Sequence, residues 1–202
     1  MSGLLRMISV LGVAAVAALM VGPTSAKAGA LSCGTSAERP FAPWGDMSPY
    51  TIAPNGDLSS GALGWSMAGG ARVVGENNSL RSGINSVSLP AGASATSPAA
   101  CVKLADPASR FFLRNTSGGT GKVRVDIQYK SVLGLFTLTT NLGDTRAGTK
   151  WQPSDKYGHL LDNILGTLAL NSNLSANLRF KFTAVGGSFM VDDLFVDPLI
   201  QI

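Results

Sequence analysis

Residues 123–129 set Val123, Val125, Ile127 and Tyr129 in strict alternation with Arg124, Asp126 and Gln128. Side chains on a strand point alternately to opposite faces, so this pattern specifies a half-buried strand. Shorter runs of the same kind recur between turn signals. Residues 71–74 lead into Gly75-Glu76-Asn77-Asn78, residues 86–89 stop at Pro90, and residues 100–104 stop before Asp106-Pro107. Residues 110–114 run into a loop over 115–121, and residues 136–139 read as the partner of the 123–129 strand. Leu178, Phe180 and Phe182 alternate with Arg179 and Lys181 in the penultimate strand. Strands at this spacing predict an all-β antiparallel sandwich of jelly-roll type rather than α/β layers. Residues 160–170 fit a helical period and a strand equally well. In an otherwise β chain the expectation is a loop or helical turn, then a strand from about Gly166.

Two motifs frame this region. Asn55-Gly56-Asp57-Leu58-Ser59-Ser60-Gly61-Ala62-Leu63-Gly64-Trp65 opens it, and Phe189-Met190-Val191-Asp192-Asp193-Leu194-Phe195-Val196-Asp197-Pro198 closes it. Asn-Gly marks a tight turn and Trp65 reads as a core residue. The first and last strands are expected to lie side by side.

The N-terminus reads as an export signal: Arg6, an apolar run over 8–21, and small residues around Ala26-Lys27-Ala28. Cleavage is expected after Ala28, with Ala26 and Ala30 as competing positions. The apolar run is short for a membrane span, and no second one follows. Removing 1–28 leaves 174 of the 202 residues and lowers the formal charge from +4 to +2. A balance this weak argues against nucleic acid or a membrane surface as partner. Cys33 and Cys101 both lie in the exported part and are expected to form one disulfide, the alternative being a metal or redox pair. The bridge would close a 68-residue loop, stabilising the fold by at most roughly 4 kcal/mol. Residues 29–54 are rich in Pro, Ala and Ser and carry Phe41, Trp44 and Tyr50. They read as an extended arm, tethered by that disulfide, whose aromatics dock on a sandwich domain formed by residues 55–202.

On an unbroken last strand, Asp192 would share a face with Met190, Leu194 and Val196, and Asp193 the face of Val191 and Phe195. A carboxylate among apolar neighbours needs a partner. A cation, an arginine or a place at the sheet rim would supply relief. Ca²⁺ favours carboxylates and carbonyls, so Asp57, Asp192 and Asp193 are the candidate metal ligands. The alternative is that the aspartates cap loops at the edge and bind water.

With Ser88-Leu89-Pro90 between them, these two motifs resemble CenC-type carbohydrate-binding modules, which belong to the galactose-binding-like jelly rolls. The chain is similar, more closely still, to a group of small secreted actinobacterial proteins of unassigned activity in which a Cys-bearing arm precedes such a domain. The resemblance covers most of residues 50–198. It implies a non-catalytic module in which aromatic rings stack on sugar C–H faces and polar groups read hydroxyls. The candidate ligand-binding residues are Trp151, Tyr157 and Tyr129, with Gln152, Asn141 and Arg146 near them in sequence. Trp151 reads alternatively as a lid over the core. Where the family's opening motif has Phe-Glu, a Glu that helps to bind a structural calcium, this chain has Leu58-Ser59. The closing Asp-Asp pair is retained.

Three function classes follow. The first is a secreted binding module for extracellular or cell-wall glycan. The second is a structural or protein-interaction component of the cell surface. The third, a serine hydrolase, would use Ser66 and His159. Gly64-Trp65-Ser66-Met67-Ala68 approaches a nucleophile elbow, but it has Ala68 for the second glycine and lacks the strand-turn-helix setting. No paired carboxylates are placed for glycoside hydrolysis.

Overall fold

The alternation resolves into two antiparallel sheets packed face to face. The computed structural model describes residues 37–103, 108–131, 135–158 and 175–197. In chain order its strands are β1 (Thr51–Ile52), β2 (Ser66–Ala68), β3 (Arg72–Val74), β4 (Ser86–Leu89), β5 (Ser94–Thr96), β6 (Ala100–Lys103) and β7 (Ala108–Asn115). They continue as β8 (Lys122–Lys130), β9 (Thr137–Thr145), β10 (Gln152–Pro153), β11 (Tyr157–Gly158), β12 (Ser175–Val185) and β13 (Phe189–Val196). Sheet one runs β10-β7-β13-β4-β3, with β1 on β13 and β11 on β7. Sheet two runs β2-β5-β12-β8-β9, with β6 on β12. Among the described residues, the one helical element is the 3-10 turn Ala42–Trp44, and no helix is long and apolar enough to cross a membrane. The stretch expected to be an export signal, Cys33, His159 and residues 160–170 lie outside the described residues. Cys101 sits on β6 and is not a free thiol.

The two ends meet as expected. β1 pairs with β13 at Thr51↔Val196 and Ile52↔Phe195. The Ala53 N–H donates to the Leu194 carbonyl at 2.8 Å, and the Leu194 N–H to the Gly56 carbonyl at 3.1 Å. A Cβ at Gly56 would lie 2.7 Å from the Leu194 oxygen, so only glycine lets the opening turn come this close. Asn55 holds the rest of the turn. Its amide donates to the Gly61 and Leu63 carbonyls, and its carbonyl accepts from Trp65 Nε1 at 2.9 Å. Trp65 then stacks on Phe182 in the inter-sheet core. Val123, Val125, Ile127, Phe180 and Phe182 meet Phe111, Leu113, Phe189 and Val191 there.

Strict alternation fails on β13. Asp193 takes a left-handed φ of +47°, and the register with β7 shifts between Asp192 and Phe195. This bulge adds one residue and reverses the parity after it. Leu194 and Val196 therefore join Phe189 and Val191 in the inter-sheet core, while Phe195 turns to the outer face of sheet one. The faces expected for Leu194, Val196 and Phe195 are thus corrected.

That outer face is apolar and covered. Phe41 and Tyr50 pack on Phe112 and Phe195 in a second cluster, all four fully buried. Trp44 lies against Phe112 and stays 43% exposed. A polar clasp holds these residues down. Asp46 accepts from the Tyr50 hydroxyl at 2.8 Å and from Arg110 Nη1 at 2.9 Å. The Arg110 guanidinium lies 4.5 Å over the Phe41 ring. Burial alone would raise the Asp46 pKa, but hydrogen bonds from Tyr50, Ser48 and Arg110 outweigh it and hold the carboxyl well below its usual range. A depressed folded-state pKa stabilises the fold fully above the unfolded value near 3.8, and the gain is lost as pH falls toward the folded value. Asp46→Asn is therefore expected to cost about 1–3 kcal/mol at pH 7. Denaturant unfolding at stepped pH should show the gap from wild type narrowing below pH 3.8.

Candidate functional site

The outer face of sheet two is polar because alternation sends its apolar residues inward. On β8, Arg124, Asp126, Gln128 and Lys130 face away from the core, and on β12 Asn177, Arg179, Lys181 and Thr183 do the same. The strand register sets these residues in rows. Ser66 pairs with Thr96, Thr96 with Lys181, Lys181 with Asp126, and Asp126 with Asn141, an unbroken polar row across five strands. At about 4.8 Å per strand it spans about 19 Å. A second row runs Arg179, Gln128, Thr139.

A groove of about 740 Å³ lies over this face, lined by Ser66, Thr96, Gln128, Lys130, Thr137, Asn177 and Arg179, with Ala99 and Tyr129. Arg179 is anchored by Nη1 donating to the Ser97 carbonyl at 3.1 Å, and Lys130 Nζ donates to Thr137 Oγ1 at 2.9 Å. Phe136, next to Thr137 in the chain, is 66% exposed. The groove offers many hydrogen-bond donors and acceptors on a rigid sheet, with an exposed ring beside one lining residue.

The sequence-derived ligand set does not assemble around one site. Tyr157 is buried between the sheets, its ring stacked on Phe111 at 6.0 Å. Trp151 packs against the Phe41–Phe112 cluster on the opposite face of sheet one, with the Arg114 guanidinium 5.5 Å over its ring. It is a half-buried cover, the alternative weighed for it. Gln152 turns back to accept from the Gly148 N–H, and Arg146 is exposed in the loop after β9. Tyr129 faces inward, only 6% exposed, but its hydroxyl lies 3.2 Å from Thr140 Oγ1 and it lines the groove. Asn141 lies on the groove's side of sheet two, donating to Asp126. Gln128, Lys130, Asn177 and Arg179 were missed. Their signal was the polar half of the same alternation that located the core. Ser66 opens edge strand β2 instead of standing on a strand-to-helix elbow.

The aspartate pair has found protein partners. Asp192 Oδ2 accepts from the Asn78 backbone N–H at 3.0 Å and from its side-chain amide at 2.9 Å. The same amide donates to Asp193 Oδ2 at 2.8 Å. Arg81 Nε stands 3.1 Å from Asp193 Oδ2, at ion-pair distance though not aligned as a hydrogen bond. Arg81 also makes a bidentate pair with Glu38 and lies 4.9 Å over Phe195. Burial first, then the charge of Asp193, raises the Asp192 pKa to about 7. Burial also raises that of Asp193, with Asn78 and Arg81 opposing. Among the described residues no group of three or more His, Cys, Asp or Glu side chains comes together, and Asp57 accepts from the Ser59 N–H in its own turn. With the Arg81 guanidinium already against Asp193 and the Asn78 amide bridging both aspartates, this donor set fits arginine rather than Ca²⁺.

No protein-family model and no curated protein matches the chain. Solved structures do. The fold resembles the CBM22-1–GH10 modules of the Clostridium thermocellum endo-1,4-beta-D-xylanase 10B, complexed with xylohexaose. The TM-score is 0.51 at 14% identity, over 74% of this chain and 29% of that one. It also resembles the CBM22-1–CBM22-2 tandem domain of Paenibacillus barcinonensis Xyn10C. There the TM-score is 0.50 at 11% identity, over 74% of this chain and 46% of that one. This chain therefore spans less than half the length of either. At these identities the likeness is one of fold: an all-β sandwich of the kind carbohydrate-binding modules use.

Removing divalent ions is expected to leave the melting temperature unchanged, whereas Arg81→Ala, which strands a buried carboxylate, should lower it by about 5–10 °C. Calorimetry with EDTA and with added calcium checks both. A chelator-induced fall in the wild type would contradict the fit.

Proposed function

We propose that this chain is a non-catalytic, exported module that binds extracellular or cell-wall glycan along the outer face of sheet two. The observation that carries this reading is the groove itself. It is open, most of its lining side chains are polar, it sits on paired strands, and it offers hydroxyl, amide and cationic groups. Sugars present rows of hydroxyls, and a rigid polar row meets them at little ordering cost. The fold likeness to modules crystallised with xylohexaose supports the ligand class. The leader-like N-terminus supports the extracellular address.

Affinity electrophoresis and isothermal titration against a panel of soluble and insoluble polysaccharides test this. Gln128→Ala is expected to weaken binding about three- to tenfold, as one lost hydrogen bond would. Trp151→Ala should leave affinity unchanged. Absence of binding to every glycan, or loss confined to Trp151→Ala, would overturn the assignment.

A further inference from the structure

The charge of the groove goes further than its shape. Lys130 and Arg179 line it, and no lining residue among those described is a carboxylate. Lys181 and Arg124 stand on the same outer face. The acids of that face are Asp126 and Asp144. Asp126 accepts from Asn141, and Asp144 pairs with Lys122 and lies 3.9 Å from Arg124. The polar contacts of Arg179 and Lys130 are to a neutral carbonyl and a neutral hydroxyl. Arg81, Arg110 and Arg114, by comparison, are each paired with a carboxylate of the chain. Asp126 keeps its charge beside Lys181, yet the cations of this face outnumber its acids, and such an excess creates a positive field that favours an anionic ligand.

We infer that the groove's ligand is an acidic glycan, one whose carboxylate or phosphate groups are met by Arg179 and Lys130. The inference rests on the glycan-binding reading and adds the ligand's charge. Arg179 supplies a planar fork suited to a two-oxygen anion, and Lys130 a point charge on β8, one strand across and two residues along from Arg179. The neutral members of the rows, Ser66, Thr96 and Gln128, are left to read hydroxyls.

Paired ligands separate this inference from the reading beneath it. Binding is measured by isothermal titration to polygalacturonate, to its fully methyl-esterified form, and to neutral and phosphorylated dextran, at 20–300 mM salt. Tighter binding of polygalacturonate than of its ester, by about tenfold or more, assigns the anion to a carboxylate. The same preference for phosphorylated over neutral dextran assigns it to a phosphate. Affinity for the preferred polymer should fall as salt rises. Arg179→Gln and Lys130→Gln should each remove most of the preference, weakening the charged partner about tenfold more than the neutral one, and Lys150→Gln, in the loop after β9, should change nothing. Equal affinity for charged and neutral partners overturns the acidic ligand but leaves a glycan module standing. Binding to none of the four, nor to other glycans, removes both. A preference equally reduced by Lys150→Gln reveals diffuse attraction and also overturns the groove's role.

Discussion

The burial of β13 on both faces is the constraint on which the rest of the structure depends. Every residue from Phe189 to Val196 is buried. The strand lies between β7 and β4, and β1 adds to its far end. One face closes the inter-sheet core, and the other carries Phe195 into the cluster under Phe41 and Tyr50. Alternation serves both cores, and the left-handed bulge at Asp193 decides which residues reach each, sending Leu194 and Val196 inward and Phe195 outward. The bulge turns two acidic side chains into a buried corner, and Asn78 and Arg81 satisfy them there.

The division of labour between the two sheets follows. The outer face of sheet one is spent on residues 37–54, whose aromatics and Asp46 clasp cover it. The outer face of sheet two carries no such cover among the described residues and stays polar, with cations left over. In this fold a polar groove on sheet two and an aromatic clamp on sheet one are two outcomes of one alternation pattern.

Much of this was legible in the sequence. The Val123–Tyr129 alternation gave the sheet direction, and the opening and closing motifs gave the meeting of the ends, because both are local patterns with a fixed geometric meaning. The bulge was not legible: nothing in Asp192-Asp193 announces an extra residue until the strand is paired. Where the candidate rings would lie was not legible either: a ring beside a sheet finds apolar surface, Phe111 for Tyr157 on β11 and the Phe112 cluster for Trp151. The groove residues are ordinary strand positions, and only the register between distant strands brings Thr96, Gln128 and Arg179 onto one face.

Native-state hydrogen exchange tests the central role of β13 most directly. The account predicts that the hydrogen-bonded amides of Phe189 and Val191 exchange only through global unfolding, with protection matching the denaturant-derived stability, while those of edge strand β9 exchange through smaller openings. Amides of β13 exchanging as readily as those of β9 would contradict it.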